Sequence, residues 1–394
     1  MSQGKKVIKK TDWKSNFYLI GTPEISEDYT FKIDEHSKNS DWVYNGMNLG
    51  VWCGEKCGTV YADCMGGYSE KGDTVIYAHG KKDDGSDDFD AKIVVNWDDR
   101  FNEDVLEQIG DLCFIKVGLE KTNDGKIFEQ KFLSEYDAIA YVKEHLKRDM
   151  VIYVSGNLKY SSYNDVTQVK KNITYIGLSI DKKTKQPTTS DRYTAHFTQS
   201  ILIDKESASL KKIDKEKSVM YVDAKVLDYV KEVNGVEVKG QYPYNKQFEF
   251  EVDLKDEQLC KSVYDKVFKV KKGVTQINFE GEFIEGGAAS MPTLDDIDEK
   301  IKSLIGVVYT EEEALAACVA NNKKERRMVL KKPHIKLVGE EKLPVLQMFP
   351  EKYTEEDLVL DYLYGFHNAK EEEVPFDTEE DDSGDSSMDW LNSL

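Results

Sequence analysis

Long hydrophobic runs are absent from this sequence of 394 residues. No window approaches the roughly 18 consecutive apolar residues that a membrane-spanning helix needs, so none is predicted. The basic N-terminus, MSQGKKVIKKTDW, is not followed by an apolar stretch and therefore does not resemble a secretory signal. We expect a cytoplasmic protein.

Cysteine and histidine are scarce, with six residues of each. Six cysteines in a chain of this length do not make a disulfide scaffold. Cys53, Cys57 and Cys64 lie close together in WCGEKCGTVYADC, and His79 follows. Four such groups can hold a zinc ion, but their spacing lacks the two-residue knuckle typical of zinc sites and favours buried or free thiols on a β-hairpin. Zinc stays an alternative, and no metal or other cofactor is expected.

The sequence also lacks recognisable catalytic motifs. It contains no phosphate-binding loop of the Walker type, no GxSxG elbow and no HExxH helix. The scattered histidines and cysteines define no triad by their positions in the sequence. We therefore do not expect an enzyme.

Acidic residues, in contrast, are abundant and concentrated at the C-terminus. The last 24 residues hold ten acidic residues and no Lys or Arg, which is half of the formal net charge of -20. Such a segment cannot bury enough surface to fold alone and is predicted to be disordered. It ends on an apolar tip, which a merely solubilising terminus does not need. The residues predicted to bind a partner protein are Asp381, Asp382, Asp385, Met388, Asp389, Trp390, Leu391 and Leu394.

Composition and hydrophobic periodicity divide the chain into five segments. They are a flexible basic N-terminal arm (1–20), a β-rich unit (21–180), a polar linker (181–192), a second β-rich unit (193–366) with a helical insertion (292–322), and the acidic tail (367–394). Each β-rich unit also contains one amphipathic helix, predicted over 134–149, with Ser134 as its cap, and over 255–270.

The two units share one order of elements. Each has a β-rich run, then the helix, then a strand with a glycine in its middle, Gly156 or Gly281. The five-stranded OB barrel has this order, with several strands, one helix and then further strands. A glycine in the middle of a strand allows the bend that a small barrel needs. The predicted fold is therefore mainly β with some α, with two OB-fold-like barrels in tandem.

The segment MVIYVSGNLKYSSYND, followed by VTQVKKNITYIGLSI, resembles the closing hairpin of bacterial and phage single-stranded DNA-binding proteins. The two-barrel plan and the tail ending in MDWLNSL are similar to that family as well. The resemblance implies a protein that coats single-stranded DNA without sequence preference during bacteriophage-type replication or recombination. It also implies that the acidic tail recruits a polymerase, helicase or primase and competes for the DNA-binding groove.

Binding of this kind needs exposed rings that stack on bases and cations that contact phosphates. The predicted stacking residues are Trp52, Tyr61, Tyr77, Trp97, Tyr153, Tyr160 and Tyr163. The predicted phosphate contacts are Arg100, Lys116, Lys131, Lys159, Lys170 and Lys171. For each ring a core position is the alternative, and the polar residues after Tyr160 favour Tyr160 and Tyr163. Neighbours on a strand point to opposite faces, so at most one of Lys159 and Tyr160 faces the groove.

Two other functions fit the same composition. An acidic protein-binding module, or a DNA mimic that inhibits a partner, would have no affinity for nucleic acid. A single-stranded RNA-binding protein is the third possibility, because OB barrels bind both kinds of strand. We expect a titration with short single strands to distinguish a nucleic-acid-binding protein from a protein-binding module or DNA mimic. Competition between matched DNA and RNA strands should then distinguish DNA binding from RNA binding.

Overall fold

Strands dominate the structure, a computed structural model that describes residues 10, 12–163, 166–233, 236–253, 255–285, 299–311, 313, 326–339, 342–355 and 358. It is 57% strand and 14% helix and contains a closed five-stranded barrel. The prediction of a mainly β fold with some helix is confirmed. None of the described helices is long and apolar enough to cross a membrane.

The elements are numbered in chain order. The strands before the predicted linker are β1 (Ser15–Glu24), β2 (Phe31–His36), β3 (Trp42–Trp52), β4 (Thr59–Ser69), β5 (Val75–Lys81), β6 (Asp87–Asn96), β7 (Ile115–Lys121), β8 (Ile127–Phe132), β9 (Ile152–Tyr163) and β10 (Val166–Leu178). Those after it are β11 (Thr194–Ile203), β12 (Ala208–Asp214), β13 (Val219–Val233), β14 (Val236–Glu251), β15 (Val274–Glu285), β16 (Arg326–Pro333), β17 (Ile335–Val338), β18 (Leu343–Leu346) and β19 (Met348–Tyr353). The α-helices are α1 (Glu103–Leu106), α2 (Glu135–His145), α3 (Glu257–Val263) and α4 (Glu299–Lys302), and a π-helical turn (Tyr264–Phe268) continues α3.

Helix α2 forms where the sequence predicts it. The Ser134 hydroxyl accepts a hydrogen bond from the Tyr136 N–H at 3.1 Å, which satisfies one of the free donors at the helix start. Its apolar side, with Ile139 and Val142, is buried against β3, β4 and β7. The predicted cap and apolar stripe of this helix are confirmed.

The strands of the first unit pair in a closed circuit, which we call the first circuit. Its order is β1, β3, β4, β10, β9 and back to β1. All of these pairs are antiparallel except β4 with β10, which are parallel and meet at Asp63 and Asn172. Helix α2 lies between β4 and β9 in the sequence.

A second circuit repeats this order with later strands. It runs β11, β13, β14, β16, β15 and back to β11. The third and fifth of its strands along the chain, β14 and β16, are again the parallel pair, with Glu249 opposite Val329. Helix α3 lies between β14 and β15, as α2 lies between β4 and β9.

The mid-strand glycines occupy matching places in the two circuits. Gly156 on β9 is paired with Phe17 on β1, and Gly281 on β15 is paired with Phe197 on β11. A Cβ atom on Gly156 would lie 1.9 Å from the Asn172 carbonyl oxygen, and one on Gly281 would lie 2.2 Å from Phe197 Cζ. Each strand approaches its neighbour too closely for any side chain, which is why both residues are glycine.

Replacement of Gly156 with alanine is expected to lower the free energy of unfolding by about 1–3 kcal/mol, because the obstacle is backbone and cannot rotate away. Gly46→Ala is the matched control. It lies on β3 with its nearest neighbouring atom at 3.8 Å, an ordinary contact, so it should cost much less. Urea unfolding of both variants measures the difference, and equal losses would contradict the close approach at Gly156.

The two circuits form one sheet because β1 and β11 pair with each other. Their antiparallel ladder places Phe17 opposite Phe197. These two residues occupy equivalent positions, because each is paired with the mid-strand glycine of its own circuit. On the other side, the buried side chains of Lys171 and Glu285 connect β10 to β15, with 2.5 Å between Nζ and Oε1. The units are therefore joined both by backbone pairing and by buried side chains.

The structure differs from several of the predicted segment boundaries. The predicted arm ends too late, because its residues 15–20 belong to β1, a central strand of the sheet. The predicted linker, 181–192, is a compact loop, and its Thr188 hydroxyl lies 2.9 Å from the hydroxyl of Ser179, which directly follows β10. Residues 1–9, the tail 367–394 and all of the predicted insertion 292–322 except 299–311 and 313 lie outside the described residues. The predicted closing strand, 327–341, is instead β16 followed by β17 in a separate ribbon.

Candidate nucleic-acid interface

One face of the joined sheet points away from the cores and is called the outer face here. On β1, Phe17 and Leu19 are buried, so the alternating residues Tyr18 and Ile20 lie on the outer face. Tyr18 is opposite His196 on β11 and opposite Ser155 on β9. Strand β1 thus places its outer residues where both circuits meet.

Four rings gather at this junction and form the central ring cluster: Tyr18, Tyr153, Tyr175 and His196. The rings of Tyr18 and Tyr153 are stacked, with centroids 5.7 Å apart and planes inclined by 17°. His196 lies 4.7 Å from Tyr18, and Tyr175 meets Tyr153 edge-on at 5.8 Å. All four residues are only partly buried, so ring surface remains accessible.

The ring cluster borders an open cleft of about 420 Å³. Most of the other lining groups are short polar side chains. The lining residues are Asn16, Phe17, Tyr18, Tyr153, Ser155, Gly156, Asn157, Thr174, His196 and Thr198. A flat ring can enter such a cleft and meet both aromatic surface and hydrogen-bonding groups.

Burial favours the uncharged form of three rings of the cluster, those of Tyr18, Tyr175 and His196. Burial, with smaller effects from Tyr153, Glu280 and Glu282, raises the pKa of the Tyr18 hydroxyl, and burial also raises the pKa of Tyr175. Burial lowers the pKa of His196 below its usual value, so its imidazole is mainly neutral at pH 7. Neutral rings stack on bases without requiring a charged partner.

Ion pairs border the cleft on the side of the second circuit. Glu280 contacts Lys332 and His334, each at 3.0 Å. Glu282 contacts Lys56 at 2.6 Å and Lys331 at 3.4 Å. Burial opposes ionisation of both carboxyls, but the hydrogen bonds and charges of these partners outweigh it and lower the pKa of each. The cations beside the cleft are therefore already partnered.

Three of the predicted stacking residues lie on the outer face. Tyr153 belongs to the central ring cluster. Trp52 is opposite Thr22 of β1 and meets Tyr193 edge-on at 5.8 Å. Tyr61 is exposed and lies across Gly50 on the neighbouring strand. These residues place aromatic surface along β3, β4 and β9.

The other predicted stacking residues lie elsewhere. Tyr77 is 81% exposed, but it belongs to the separate β5–β6 ribbon. Trp97 is partly buried, stacked on Tyr68 at 5.2 Å and covered by Arg100 at 4.1 Å. The prediction for Tyr160 is wrong, because its ring is buried and its hydroxyl donates to Gln199 Oε1 at 2.8 Å. The side chain of Tyr163 lies outside what the structure describes.

The predicted phosphate contacts do not form one cationic track, because carboxylates hold most of them. Arg100 is paired with Asp137 at 2.8 Å. Lys116 and Lys131 both bind Asp111, and their hydrogen bonds lower the pKa of that carboxyl to about 2.

The strand-neighbour rule predicted the remaining lysines well. Lys159 is exposed while its neighbour Tyr160 is buried, and Lys170 is exposed while Lys171 is buried. Lys159 Nζ lies 3.7 Å from the Asp228 carboxylate. The phosphate contact predicted for Lys171 is wrong, because its ammonium group is buried against Glu285.

The zinc alternative is not supported by the described residues. Cys53, Cys57 and Cys64 are buried, and burial raises the pKa of each thiol, as expected for small apolar residues of a core. His79 lies on β5 with other partners. Among the residues that the structure describes, no three His, Cys, Asp or Glu side chains are placed to hold a metal ion.

The sequence did not reveal that His79, Asp87 and Cys113 meet. His79 Nε2 is 2.7 Å from Asp87 Oδ1, and Cys113 Sγ is 3.2 Å from Nδ1 and 3.7 Å from Nε2 of His79. A sulfur lying along the lone pair of one ring nitrogen would be much farther from the other. The thiol therefore packs against the imidazole and is not positioned as a nucleophile beside its base.

The corresponding outer face of the second circuit is covered. Ser200 and Asn278 lie on that face, yet both are fully buried. Asn278 donates to the Asp12 carbonyl at 3.2 Å and to Gln347 Oε1 at 2.8 Å. An apolar cluster continues the cover, formed by Trp13, Leu202, Leu227, Val274, Tyr353 and Leu358. Among the described residues, this part of the outer face is therefore covered, whereas the central ring cluster at the junction between the circuits stays accessible.

Three residues of the central ring cluster were not predicted from the sequence. Tyr18 lies within the predicted arm, and the sequence pattern assigns Tyr175 and His196 only to strands. The alternation in SNFYLIG and in YTAHFTQSILI is the signal that places Tyr18 and His196 opposite their buried neighbours.

Comparison with known proteins gives a family. Residues 79–280, just over half of the chain, match the YorF family, so the chain belongs to that family. The matched range begins in β5 and ends in β15, and it therefore includes parts of both circuits. No curated protein matches the chain.

Proposed function

We propose that this protein binds single-stranded DNA without sequence preference, with the central ring cluster as its stacking site. The observation that carries the proposal is the open cleft in which Tyr18, Tyr153 and His196 lie together across two circuits. Stacking on an aromatic side chain is worth about 1–3 kcal/mol per base and tolerates any sequence, because every base has a flat face. The proposed role is binding and not catalysis.

We further propose that both circuits are OB-type barrels in tandem. The strand order of each circuit, with its parallel third and fifth strands and a helix before the fourth strand, supports this assignment. The cover over the second circuit supports the first circuit and the junction as the DNA-binding part. The boundaries of the two domains remain predictions.

The ion pairs change the expected dependence on salt. Binding that releases many counterions from phosphates weakens steeply as salt rises. Here Lys56 and Lys332 already contact carboxylates, so a phosphate must exchange for an existing partner. We expect salt to weaken binding, with a shallower slope than free lysines in the same positions would give.

A titration with oligo-dT tests the proposal directly. Quenching of tryptophan fluorescence, with Trp52 on the outer face, should saturate as the strand is added, and a matched RNA competitor should show which strand is preferred. Absence of binding at low salt would contradict the proposal and favour the acidic protein-binding or DNA-mimic alternative. Preference for RNA would redirect the proposal to single-stranded RNA.

We also propose that the protein coats unwound DNA in the cytoplasm of a phage-infected host and that its tail recruits replication proteins. Deletion of residues 371–394 is expected to tighten binding to oligo-dT several-fold at low salt, because the ten acidic charges of the tail then no longer compete with phosphates for the protein. The same deletion should abolish binding to the partner polymerase, helicase or primase.

A matched variant separates the two effects of the tail. Replacing Met388, Trp390 and Leu391 with alanine keeps every charge of the tail. It should therefore leave the affinity for DNA unchanged while it weakens binding to the partner protein. If the deleted protein binds oligo-dT no better than the full chain, the competition between tail and DNA is refuted.

A further inference from the structure

Acidic residues are nearly absent from the strands that surround the central cleft. Strands β1, β9, β10 and β11 contain one acidic residue among them, Glu24 at the end of β1. The whole chain, in contrast, has 74 acidic residues and a net charge of -20. A surface without carboxylates lowers the local repulsion of an anion, which the net charge of so acidic a chain would otherwise set.

Lysines on three neighbouring strand segments cross this surface in a line that we call the lysine row: Lys14, Lys159 and Lys170. Lys159 on β9 is directly opposite Lys170 on β10. Next to them, Asn16 on β1 is opposite Asn157 on β9. The same antiparallel register, continued by two residues, places Lys14 across from Lys159. All three lysines are exposed, and by alternation they lie on the outer face together with Tyr18.

Among the described residues, a single carboxylate forms an ion pair with the lysine row. It belongs to Asp228 and lies 3.7 Å from Lys159 Nζ and 3.7 Å from Lys10 Nζ. Its oxygens already accept hydrogen bonds from the N–H groups of Tyr160 and Tyr229, each at 2.8 Å. One buried carboxylate therefore serves two ammonium groups, and the lysine row keeps an excess of positive charge.

Stability of the sheet does not account for this arrangement. Lys159 and Lys170 are directly opposite each other, and like charges in such a pair destabilise a sheet. Between the lysine row and the rings lie Asn16, Asn157 and Asn172, whose side chains are uncharged. Exposed cations beside hydrogen-bonding amides and stacking rings are the groups that a single strand of nucleic acid contacts.

We infer that the phosphates of the bound strand pass over the lysine row, so that the strand lies along β1 and β9 and leaves the central ring cluster toward Lys14 and Lys159. This inference rests on the proposed function and adds the path of the strand. Tyr18 and Lys14 are four residues apart in an extended segment, about 13 Å. A strand with a base stacked on Tyr18 therefore brings phosphates a few nucleotides away beside the lysine row.

The opposite direction is less favourable for a phosphate chain. Glu282 on β15 is directly opposite His196 of the ring cluster, and Glu280 is two residues before it. The pKa of each carboxyl is lowered, so both are ionised at pH 7, and their lysine partners are already engaged. Farther along this side, the outer face is covered at Ser200 and Asn278. Charge and access therefore both favour the path over β9 and β10.

Binding of labelled oligo-dT over a salt series, measured by fluorescence anisotropy, tests the inference. The variant Lys14→Gln/Lys159→Gln/Lys170→Gln should bind at least about tenfold more weakly than the wild type at low salt. The slope of log affinity against log salt should also become shallower by about 2, because each phosphate contact of a single strand contributes roughly 0.7. A purely structural role of these lysines would not change that slope.

The variant Lys38→Gln/Lys121→Gln/Lys126→Gln is the matched control, with the same change in net charge. These exposed lysines lie in the turn between β2 and β3, at the end of β7 and in the turn before β8, and none of them lines the cleft. The control should keep the wild-type slope. Equal losses of affinity in the two triple variants, or an unchanged slope in the lysine-row variant, overturn the inference.

Acetylation of the wild-type protein gives a second measurement that does not depend on how a variant folds. Bound oligo-dT should protect the three amines of the lysine row from acetylation, as read by mass spectrometry, and should leave Lys38 and Lys126 as reactive as without DNA. Full reactivity of the lysine row in a saturated complex overturns the inferred path, while the binding itself still supports the proposed function. Wild type that binds no oligo-dT at low salt overturns both.

Discussion

Replacing Lys171 with methionine is expected to lower the free energy of unfolding by about 3–5 kcal/mol. The side chains of Lys171 and Glu285 are only 9% and 7% exposed, and Nζ lies 2.5 Å from Oε1. Lys171 Nζ also lies 4.7 Å from the centre of the Phe283 ring. Methionine fills similar space but leaves the Glu285 carboxylate buried without its cation. Chemical denaturation at neutral pH measures the loss.

Two further variants make the test specific. Lys56→Met removes an ammonium group that is 62% exposed and paired with Glu282, so it should cost no more than about 1 kcal/mol. The double variant Lys171→Met/Glu285→Leu removes both buried charges and should be clearly more stable than Lys171→Met alone. If Lys171→Met costs no more than Lys56→Met, the buried pair does not contribute to joining the circuits.

Removing two rings from the central cluster is expected to weaken binding to oligo-dT at least about 30-fold, the effect of losing two stacking interactions of about 1–3 kcal/mol each. The variant is Tyr18→Ala/Tyr153→Ala, because these rings are stacked on each other and border the cleft. The two losses need not add, since the rings touch and each supports the other. Fluorescence anisotropy with a labelled oligomer measures the affinity.

Tyr29→Ala is the matched control for this pair. Tyr29 is 67% exposed and lies in the turn before β2, outside the cleft, so its removal should leave the affinity for oligo-dT unchanged. Circular dichroism shows whether the double variant keeps its strands. A folded double variant that binds as tightly as the Tyr29→Ala control would exclude the central ring cluster as the binding site.

Local sequence patterns predicted the elements well. Ser134 begins α2, the helix before β15 is present as α3 with its π-helical turn, and Gly156 and Gly281 occupy matching strand positions. These features depend on residues close together in the chain, through capping, periodicity and the space that a side chain needs. The alternation of strand residues also predicted correctly that Lys159 and Tyr160 face opposite sides of β9.

Local patterns did not determine which residues belong to the site, and Tyr160 illustrates the reason. Alternation assigns a residue to one side of a strand, but it does not tell which side is later covered. Tyr160 is buried where the circuits pack together, with its N–H donating to Asp228 of β13 at 2.8 Å. Residues 160 and 228 are distant in the sequence, so no local pattern connects them.

The predicted phosphate contacts differ from the structure for a similar reason. The position of a basic residue in a strand does not tell which carboxylates lie beside it in the folded protein. Lys116 and Lys131 converge on Asp111 only because β7 and β8 pair next to the short helical turn at Asp111–Cys113.

By itself, the sequence determined the strand-rich composition, the two amphipathic helices, the bending glycines and the acidic character of the tail, because each follows from neighbouring residues. Only the tertiary structure decided that β1 would pair with β11, and thereby that Tyr18 would meet His196 at an open cleft while Ser200 and Asn278 were covered. The physical reason is that pairing between distant strands decides which faces of the sheet are covered and exclude water. The exposure of a ring therefore depends on that pairing and not on the residues next to it in the chain.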